Sequence, residues 1–398
     1  MSALTKNIFA EIPGSPERLY EQSIESFFKV FNVAPGGMCL TENSLLVEVN
    51  PMFENMFGHS RAEAMGKSNL ALGTLREEEV MKVGEIFRTT GKLFNEEVTC
   101  YHKNGKKVHC LVTTSTLLIG GKQLILTSFS DVTSLKKQSA TIAEQHKDLF
   151  DSVTYAKRIQ EAIFSSPQTF HTVLPDSFLL LKPKSIVTGD FYWLEKKGNK
   201  IYVAAADCTG HGVPGALMSI IGHNIISKSL SPKNLTRPCE ILNDLSSEIF
   251  KTLQQNLNSH GVKDGMDISL ISIDTENMVM EYAAARQPVY RIRNNELVKL
   301  MPDRFPIGIY TGQHLQEFNN QQISLQRGDT IYMFTDGYTD QFGGPEKKKF
   351  KALQFQKLLL SIQTFSMDEQ KQILLKELSD WQEDCVQVDD IMIIGIKI

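Results

Sequence analysis

Apolar and polar positions alternate in two different ways along the chain. Between Phe27 and Leu135, short apolar runs are separated by polar turns, which is typical of strands mixed with short helices. Residues 136–165 instead place apolar side chains at alternating steps of four and three, the spacing of one helical face. From residue 167 onward, short apolar runs and helical patterns again follow one another. The pattern predicts an α+β protein in which a helical connector joins two mixed units.

These changes of pattern give the bounds of four segments. We expect a tail or short helix at 1–22, a first domain at 23–135, a helical connector at 136–166 and a second domain at 167–398. A chain of 398 residues is long enough for each domain to bury its own core. Within the first domain, the pattern predicts strands at 38–40, 45–50, 94–101, 107–118 and 123–130, a short helix at 50–58, and a turn at Gly120-Gly121.

The connector offers a face that a second copy of the chain can cover. Its periodic positions are Ile142, His146, Leu149, Val153, Ala156, Gln160 and Ile163, and five of these seven are apolar. Such a row favours a short parallel coiled coil and therefore a homodimer, in which His146 and Gln160 weaken the seam but fix its register. The alternative is an amphipathic helix packed against its own chain.

Acidic residues recur at the margins of predicted strands. Asp207 follows the apolar run 201–206 and precedes a glycine-rich turn, after which a helix begins near Pro214. Further acidic sites with apolar flanks are Asp190, Asp336 and the pair Asp389-Asp390. A single strand-end aspartate most often caps a turn. Four such sites together, with no His or Cys cluster among them, favour a hard cation bound by oxygen ligands.

Composition and charge exclude several classes of protein. A net charge of −4 argues against nucleic acid as the main partner. No apolar run approaches the ~20 residues needed to cross a membrane, and no secretory signal is evident. The six cysteines are scattered and form no CxxC pair. We therefore expect a cytoplasmic protein with reduced thiols.

The first domain resembles a PAS sensor domain over nearly its whole length. The residues that carry the resemblance are Val49-Asn50-Pro51, Phe53, Met56-Phe57-Gly58, Glu63, Met65-Gly66, Lys103-Asn104-Gly105-Lys106 and Phe129-Ser130-Asp131-Val132-Thr133. The resemblance implies a five-stranded sheet with helices over one face and an internal pocket. It does not identify a ligand for that pocket.

The first domain could also hold a metal ion on one face of its sheet, as an alternative to an ordinary sheet face. If Asn104-Gly105 formed a two-residue turn, Cys100 would pair with His109 across the strands, and His102 would share their face. We favour an ordinary sheet face with incidental polar residues, because Cys110 would then point the other way and a fourth ligand is lacking.

The segment 178–398 resembles the SpoIIE-type phosphatases, a bacterial branch of the metal-dependent PPM (type-2C) serine/threonine protein phosphatases. The motifs are Pro183-Lys184, Gly189-Asp190-Phe191-Tyr192, Asp207-Cys208-Thr209-Gly210-His211-Gly212-Val213-Pro214, Asp264-Gly265-Met266-Asp267-Ile268, Phe305-Pro306-Ile307-Gly308, Thr335-Asp336-Gly337 and Asp389-Asp390-Ile391. The resemblance implies a β-sandwich flanked by helices, with two Mn²⁺ or Mg²⁺ ions at one end.

The same resemblance implies a role for each acidic residue. Asp207 would bridge the two metals, and the backbone carbonyl of Cys208 would complete the coordination of one of them. Asp190 and Asp336 would bind directly or through ordered water, and Asp389 would bind the metal nearer the carboxy terminus. A water between the metals would then attack the phosphorus directly, without a phosphoenzyme.

Other residues near these motifs have two possible roles each. Only one member of the acidic pair can reach the metal, since neighbours in a strand face opposite ways, so Asp390 is an alternative ligand. Asp267 would bind a third metal or cap a turn. His211 would act as a general acid or serve structure. Lys184 or Lys182 would contact the phosphate or remain solvated.

Two departures from the family pattern are visible. The usual Gly-Gly before the first aspartate is Thr188-Gly189 here, and the Ala-Gly-Ala motif is replaced by Ala283-Ala284-Ala285, followed by Arg286-Gln287-Pro288. Arg286 would alter substrate contacts. All implied metal ligands are present, which favours an active enzyme.

The sequence therefore predicts a sensor-regulated phosphatase acting on a phosphoserine or phosphothreonine. The resemblance implies a phosphorylated anti-sigma-factor antagonist as substrate. The signal would pass from the PAS domain through the connector to the helix near Pro214. The alternatives are a sensor histidine kinase, with His146 as phosphoacceptor, and a non-enzymatic signalling scaffold.

Overall fold

The computed structural model describes residues 16–119, 121–253, 264–308 and 316–398, and the chain forms two compact units that divide between Lys147 and Asp148. The expected structure of residues 1–15 and the Gly120 half of one expected turn lie outside the described residues. Among the helices that are described, none combines the length and the apolar character that a membrane span requires.

The first unit is built on one antiparallel sheet of five strands in the order β2-β1-β5-β4-β3. Its strands are β1 (Gly37–Glu42), β2 (Leu45–Val49), β3 (Glu96–Tyr101), β4 (Lys107–Ile119) and β5 (Lys122–Asp131). Its helices are α1 (Pro16–Val33), α2 (Pro51–Phe57), α3 (Arg61–Ala64), α4 (Asn69–Leu72) and α5 (Glu77–Thr90). The expected strands and the short helix are thus present, and the sheet has the expected number of strands.

Asn50 shows how the sequence builds this unit locally. Its side chain accepts from Phe53 N at 2.8 Å and caps α2, while Pro51 occupies the first helical turn. The Asn50 amide also donates to Phe31 O and Gly36 O, at 3.0 and 2.9 Å. One buried side chain therefore joins α1, the entry to β1 and the start of α2.

The predicted pairing of Cys100 with His109 is wrong. In the structure, Thr99 lies opposite His109 and Cys100 lies opposite Val108. The turn is longer than two residues, because His102 N donates to Lys106 O and closes a loop between β3 and β4. Cys100 consequently faces the domain core, as Cys110 does, and His109 faces the other side.

The connector is a single helix, α6 (Thr133–Ile163). Ile142 and Leu149 are 53% and 63% exposed within one chain, so a second copy of the chain could cover them. Gln160, by contrast, is 3% exposed, and Ile163 packs against the core of the second unit. The prediction that Gln160 belongs to a seam between two copies is therefore wrong, because its own chain covers it.

The second unit is a sandwich of two antiparallel five-stranded sheets, ordered β13-β10-β9-β8-β7 and β12-β11-β14-β17-β6. The first sheet contains β7 (Phe191–Lys197), β8 (Lys200–Cys208), β9 (Met266–Asp274), β10 (Val279–Ala285) and β13 (Gln321–Ser324). The second contains β6 (Ser177–Lys182), β11 (Val289–Arg293), β12 (Glu296–Leu300), β14 (Thr330–Phe334) and β17 (Ile391–Lys397). A small hairpin of β15 (Phe342–Gly343) and β16 (Lys348–Lys349) completes the strands.

Helices cover the outer face of each sheet. The helices of this unit are α7 (Pro167–Val173), α8 (Val213–Leu230), α9 (Pro238–Thr252), α10 (Gly337–Asp340), α11 (Ala352–Ser361) and α12 (Met367–Gln382). α7 does not cover an outer face, because its Phe170 and Val173 pack with the residues between the two sheets. Side chains of α8 and α9 pack on the first sheet, and those of α11 and α12 pack on the second. A third apolar core lies between the sheets. Central strands are thus buried on both faces, which explains the continuous apolar runs in the sequence.

Candidate metal centre

Strand alternation brings two aspartates to the same end of the sandwich. Along β8, Val203 and Ala205 face the core between the sheets, so Asp207 follows them on that face. Asp267 lies opposite Asp207 on β9 and shares the face of Ile271. The two carboxylates therefore stand where the core between the sheets opens to solvent.

Asp190 lies beside them and is held from the opposite sheet. It precedes β7, at the start rather than the end of a strand, and is 2% exposed. The Thr335 hydroxyl donates to Asp190 Oδ2 at 2.6 Å and accepts from Met392 N at 3.0 Å. Asp336 follows Thr335 directly and is exposed. One hydroxyl thus joins the two sheets at the acidic end.

Asp389 and Asp390 have different surroundings. Asp390 is 3% exposed, and its two oxygens accept from Lys184 N at 2.7 Å and Gly189 N at 2.8 Å. Asp389 is half-buried, and its Oδ1 accepts from Asp390 N at 2.8 Å. Asp390 is thus occupied in holding the loop before Asp190, which leaves Asp389 as the more available carboxylate.

These carboxylates perturb one another. Burial raises the pKa of Asp207 to about 8, and the nearby Asp336 and Asp389 add to the rise. Burial, together with the charge of Asp207, also raises the pKa of Asp190 well above its usual range. Burial raises the pKa of Asp267 to about 6, against the lowering effect of the Arg286 guanidinium. Clustered acids with raised pKa values are a mark of functional sites.

The donor set fits a hard divalent cation. It consists of carboxylate oxygens, the type of ligand that Mn²⁺ and Mg²⁺ prefer. The Cys208 thiol faces the core beneath α8, and burial raises its pKa, so its sulfur is excluded as a ligand. Within the described ranges, no three Asp, Glu, His or Cys side chains form a ready coordination group.

Gly189 and Gly215 allow the first turn of α8 to lie close to the loops around Asp190 and Asp207. A Cβ on Gly215 would lie 2.2 Å from Gly210 O and 2.9 Å from Gly189 Cα, so the first turn of α8 approaches the loops closely. A Cβ on Gly189 would lie 3.4 Å from Cys208 O. The carbonyl proposed as a ligand therefore lies beside the residue that precedes Asp190.

Gln160 and Thr335 make contacts that the sequence did not predict. The Gln160 amide donates to Thr188 O at 2.7 Å and to Ser219 Oγ of α8 at 2.9 Å. Its only signal in the sequence was a polar residue on an otherwise apolar helical face. Thr335 stands inside a recognised motif, where its hydroxyl had no predicted role.

The remaining candidates lie at the edge of the site. His211 and Lys184 are exposed, and Lys184 contributes its backbone N–H to Asp390. Lys182 is turned towards Gln382 at 3.4 Å. His211 is therefore not buried in the site. Among the described contacts, neither lysine side chain touches the acidic cluster, which consists of Asp190, Asp207, Asp267, Asp336 and Asp389.

A PAS-type sheet domain followed by a helix-covered β-sandwich with acidic residues at one end defines the class of PAS-linked, PP2C-type phosphatases. Residues 35–134 match the PAS domain family. Residues 197–398 match the family "Stage II sporulation protein E (SpoIIE)", which covers half of the chain. The chain belongs to the SpoIIE family. Its second unit is thus not the nucleotide-binding domain that a histidine kinase requires.

Two known proteins show the same likeness. The phosphoserine phosphatase RsbU of Bacillus subtilis (strain 168) is 23% identical over 210 residues, which are 51% of this chain and 58% of RsbU. The solved SiaA-PP2C domain of Pseudomonas aeruginosa is 28% identical, with a TM-score of 0.59, over 64% of this chain and 99% of that domain.

Proposed function

We propose that this protein is a sensor-regulated, metal-dependent phosphatase that hydrolyses phosphoserine or phosphothreonine on a regulatory protein. The observation that carries the proposal is electrostatic: Asp336 and Asp389, which flank strands of the second sheet, raise the pKa of Asp207, and the charge of Asp207 raises that of Asp190. Family membership supports the same activity.

The side chains of Asp190, Asp207, Asp336 and Asp389, with the carbonyl of Cys208, would hold two Mn²⁺ or Mg²⁺ ions. When bound, such cations activate water for direct attack on phosphorus and offset the charge of the phosphoryl oxygens. By the resemblance to the SpoIIE-type phosphatases, Asp207 would be the ligand that both ions share, and the charges of Asp336 and Asp389 act on it. Asp267 would serve a third, weaker cation.

The protein's own residues orient this set. Thr335 fixes the rotamer of Asp190 by its hydrogen bond, and Asp390 fixes the loop before it through Lys184 N and Gly189 N. The Cys208 thiol faces away from the cluster, so it is not available as a nucleophile. We propose that hydrolysis proceeds by direct attack of water, without a covalent enzyme intermediate.

The direct test is hydrolysis of an aryl phosphate and of a phosphoserine peptide by the full-length protein with and without Mn²⁺. Activity that requires Mn²⁺ and is lost in Asp207→Asn supports the proposal. A well-folded wild-type protein that releases no phosphate in the presence of Mn²⁺ would refute it and favour the scaffold alternative.

The relative RsbU is named a phosphoserine phosphatase. From this we infer a phosphoserine protein as substrate. The resemblance to the SpoIIE-type phosphatases leads us to propose, more specifically, a phosphorylated anti-sigma-factor antagonist in the cytoplasm. All six cysteines are unpaired, which suits a reducing compartment. Incubating Asp207→Asn with a lysate in Mn²⁺ and identifying the retained phosphoproteins tests the substrate. Retention of phosphoproteins of unrelated type would contradict it.

We further propose a homodimer through the PAS domain and α6. The exposed Ile142 and Leu149 are seven residues apart, the repeat of a coiled coil, and a second copy would cover them. A conformational change in the PAS domain would be transmitted to the acidic cluster through Gln160. This side chain hydrogen-bonds to Thr188, in the loop before Asp190, and to Ser219 of α8. Deletion of residues 1–135 should therefore change the Mn²⁺ dependence of activity.

A further inference from the structure

Arg286 has a backbone conformation that arginine rarely adopts. Its φ is 57°, in the left-handed region that favours glycine and asparagine. Two hydrogen bonds fix the turn, since Arg286 N donates to Asp303 O and Asp303 N donates to Ala284 O, both at 2.8 Å. When the surroundings hold a residue in a strained conformation, its side chain is a candidate for a functional role.

The turn places the Arg286 side chain at the rim of the acidic cluster. Its Nη1 lies 4.0 Å from Asp267 Oδ1. Arg286 directly follows β10, which pairs with β9, and β9 pairs with β8 at the level of Asp207. Two strand spacings separate Arg286 from Asp207, or about 10 Å. An extended arginine can therefore reach a group bound over Asp207.

The guanidinium is free to exchange its partner. The Arg286 side chain is 54% exposed and that of Asp267 is 38% exposed, so the pair is weak. A separation of 4.0 Å is also too long for a hydrogen bond. The nearby Asp303 is occupied, because its oxygens accept from Asn319 at 2.7 and 2.9 Å. Lys349, which also acts on the cluster, is held by Asp340 at 2.6 Å.

We propose that Arg286 binds the phosphoryl group of the substrate and leaves Asp267 when a phosphate monoester enters the site. The guanidinium presents two parallel N–H donors, which match two phosphate oxygens. This inference rests on the proposed phosphatase function and adds a residue that contacts the substrate. It also gives a reason for the strained turn, because the conformation aims a cation at the edge of an anionic cluster.

The experiment compares the full-length wild type with Arg286→Asn, since asparagine tolerates the left-handed conformation and removes only the guanidinium. The exposed Arg304→Asn is the matched control. Calorimetry measures the affinity for inorganic phosphate at saturating Mn²⁺, and steady-state kinetics use p-nitrophenyl phosphate and a phosphoserine peptide. Arg286→Asn should weaken phosphate binding and lower kcat/KM for both substrates by about tenfold or more. Arg286→Lys should recover part of the loss.

Three results would overturn the assignment. They are unchanged phosphate affinity in Arg286→Asn, a loss confined to the peptide substrate, and a loss that follows weakened Mn²⁺ binding. Phosphate binding is measured without turnover, which separates this inference from the proposed function. A wild type that binds phosphate through Arg286 but hydrolyses no ester would refute the phosphatase and leave the phosphate contact standing.

Discussion

The side-chain amide of Gln160 pairs with the backbone of Thr188 through both polar groups. Its Nε2 donates to Thr188 O at 2.7 Å, and Thr188 N donates to its Oε1 at 3.3 Å. Thr188 is two residues from Asp190 in sequence, and its hydroxyl accepts from Asp190 N at 3.0 Å. The helix that leaves the PAS domain therefore ends in a direct contact with the loop that presents a proposed metal ligand.

Replacing this glutamine should loosen the loop. Gln160→Ala leaves the buried Thr188 N–H without its partner, which should cost about 1–3 kcal/mol of stability. We also expect the Mn²⁺ concentration for half-maximal activity to rise several-fold, because Asp190 is less well positioned. Titration of activity with Mn²⁺ measures this. The exposed Gln168→Ala should change neither quantity, and an unaltered Mn²⁺ requirement in Gln160→Ala would exclude a positioning role.

Asp207→Asn should separate activity from stability. We expect hydrolysis of p-nitrophenyl phosphate to fall at least about 100-fold, since the proposed bridging ligand is lost. In EDTA at pH 7, the free energy of unfolding of the same variant should be higher by about 1–3 kcal/mol, because asparagine replaces a carboxyl group whose pKa is raised to about 8 on folding by burial and by its acidic neighbours. Urea titrations with Asp148→Asn as an exposed control check this. Destabilisation in EDTA would show that the Asp207 charge does not oppose folding.

Substitutions of Asp389 and of Asp390, the acidic pair before β17, should have opposite effects on Mn²⁺ binding and on stability. Asp389→Asn should weaken Mn²⁺ binding with little loss of stability, since its carboxylate is the more available one. Asp390→Asn should cost about 2–4 kcal/mol, because an amide offers only one oxygen to the two N–H groups of Lys184 and Gly189. Calorimetric Mn²⁺ titration and thermal unfolding of both variants measure the contrast. The reverse pattern would make Asp390 the ligand.

His223 should make the second unit sensitive to mild acid. It is 8% exposed and packs against Phe164 and Phe191, and neither of its ring nitrogens has a hydrogen-bond partner among the described residues. Burial lowers its pKa to about 4 from 6.5, so the unfolded chain takes up a proton first. The free energy of unfolding should therefore fall as the pH drops below about 6.5, and should level off near 4.

Denaturant unfolding at pH 7.5 and pH 5.0 measures this effect. Between these values, the wild type should lose about 1–2 kcal/mol more than His223→Leu. The exposed His171→Asn is the control and should behave as the wild type. Equal losses in the wild type and in His223→Leu would assign the acid sensitivity to other groups.

Charges on the exposed face of α6 should break the proposed dimer. We expect Ile142→Glu combined with Leu149→Glu to give a monomer, because buried charges across a coiled coil are unfavourable. Light scattering coupled to gel filtration measures the mass. Gln138→Glu adds a charge at an exposed position of the same helix and should leave the mass unchanged. A wild type that is already monomeric at micromolar concentration would contradict the dimer.

The sequence was most informative where one local pattern decides a structure. The apolar run 201–206 and the glycines after Asp207 predicted a strand, an aspartate at its end and the helix that follows. The turn between β3 and β4 was mispredicted, because a bond from His102 N to Lys106 O lengthens the loop. Gln160 was misplaced for a different reason, since its partner Ser219 is 59 positions away and no local pattern encodes that distance.

The two-sided pairing of Gln160 also limits how α6 can move. Successive residues of a helix point about 100° apart, so turning α6 by one residue would present Ile159 or Glu161 to Thr188. Isoleucine has no polar group, and an ionised glutamate cannot donate to the Thr188 carbonyl. Rotation about the helix axis thus breaks the contact completely, whereas gentle bending can preserve it. If α6 carries a signal to the site, we therefore predict that it does so by rotating the helix and releasing the loop before Asp190.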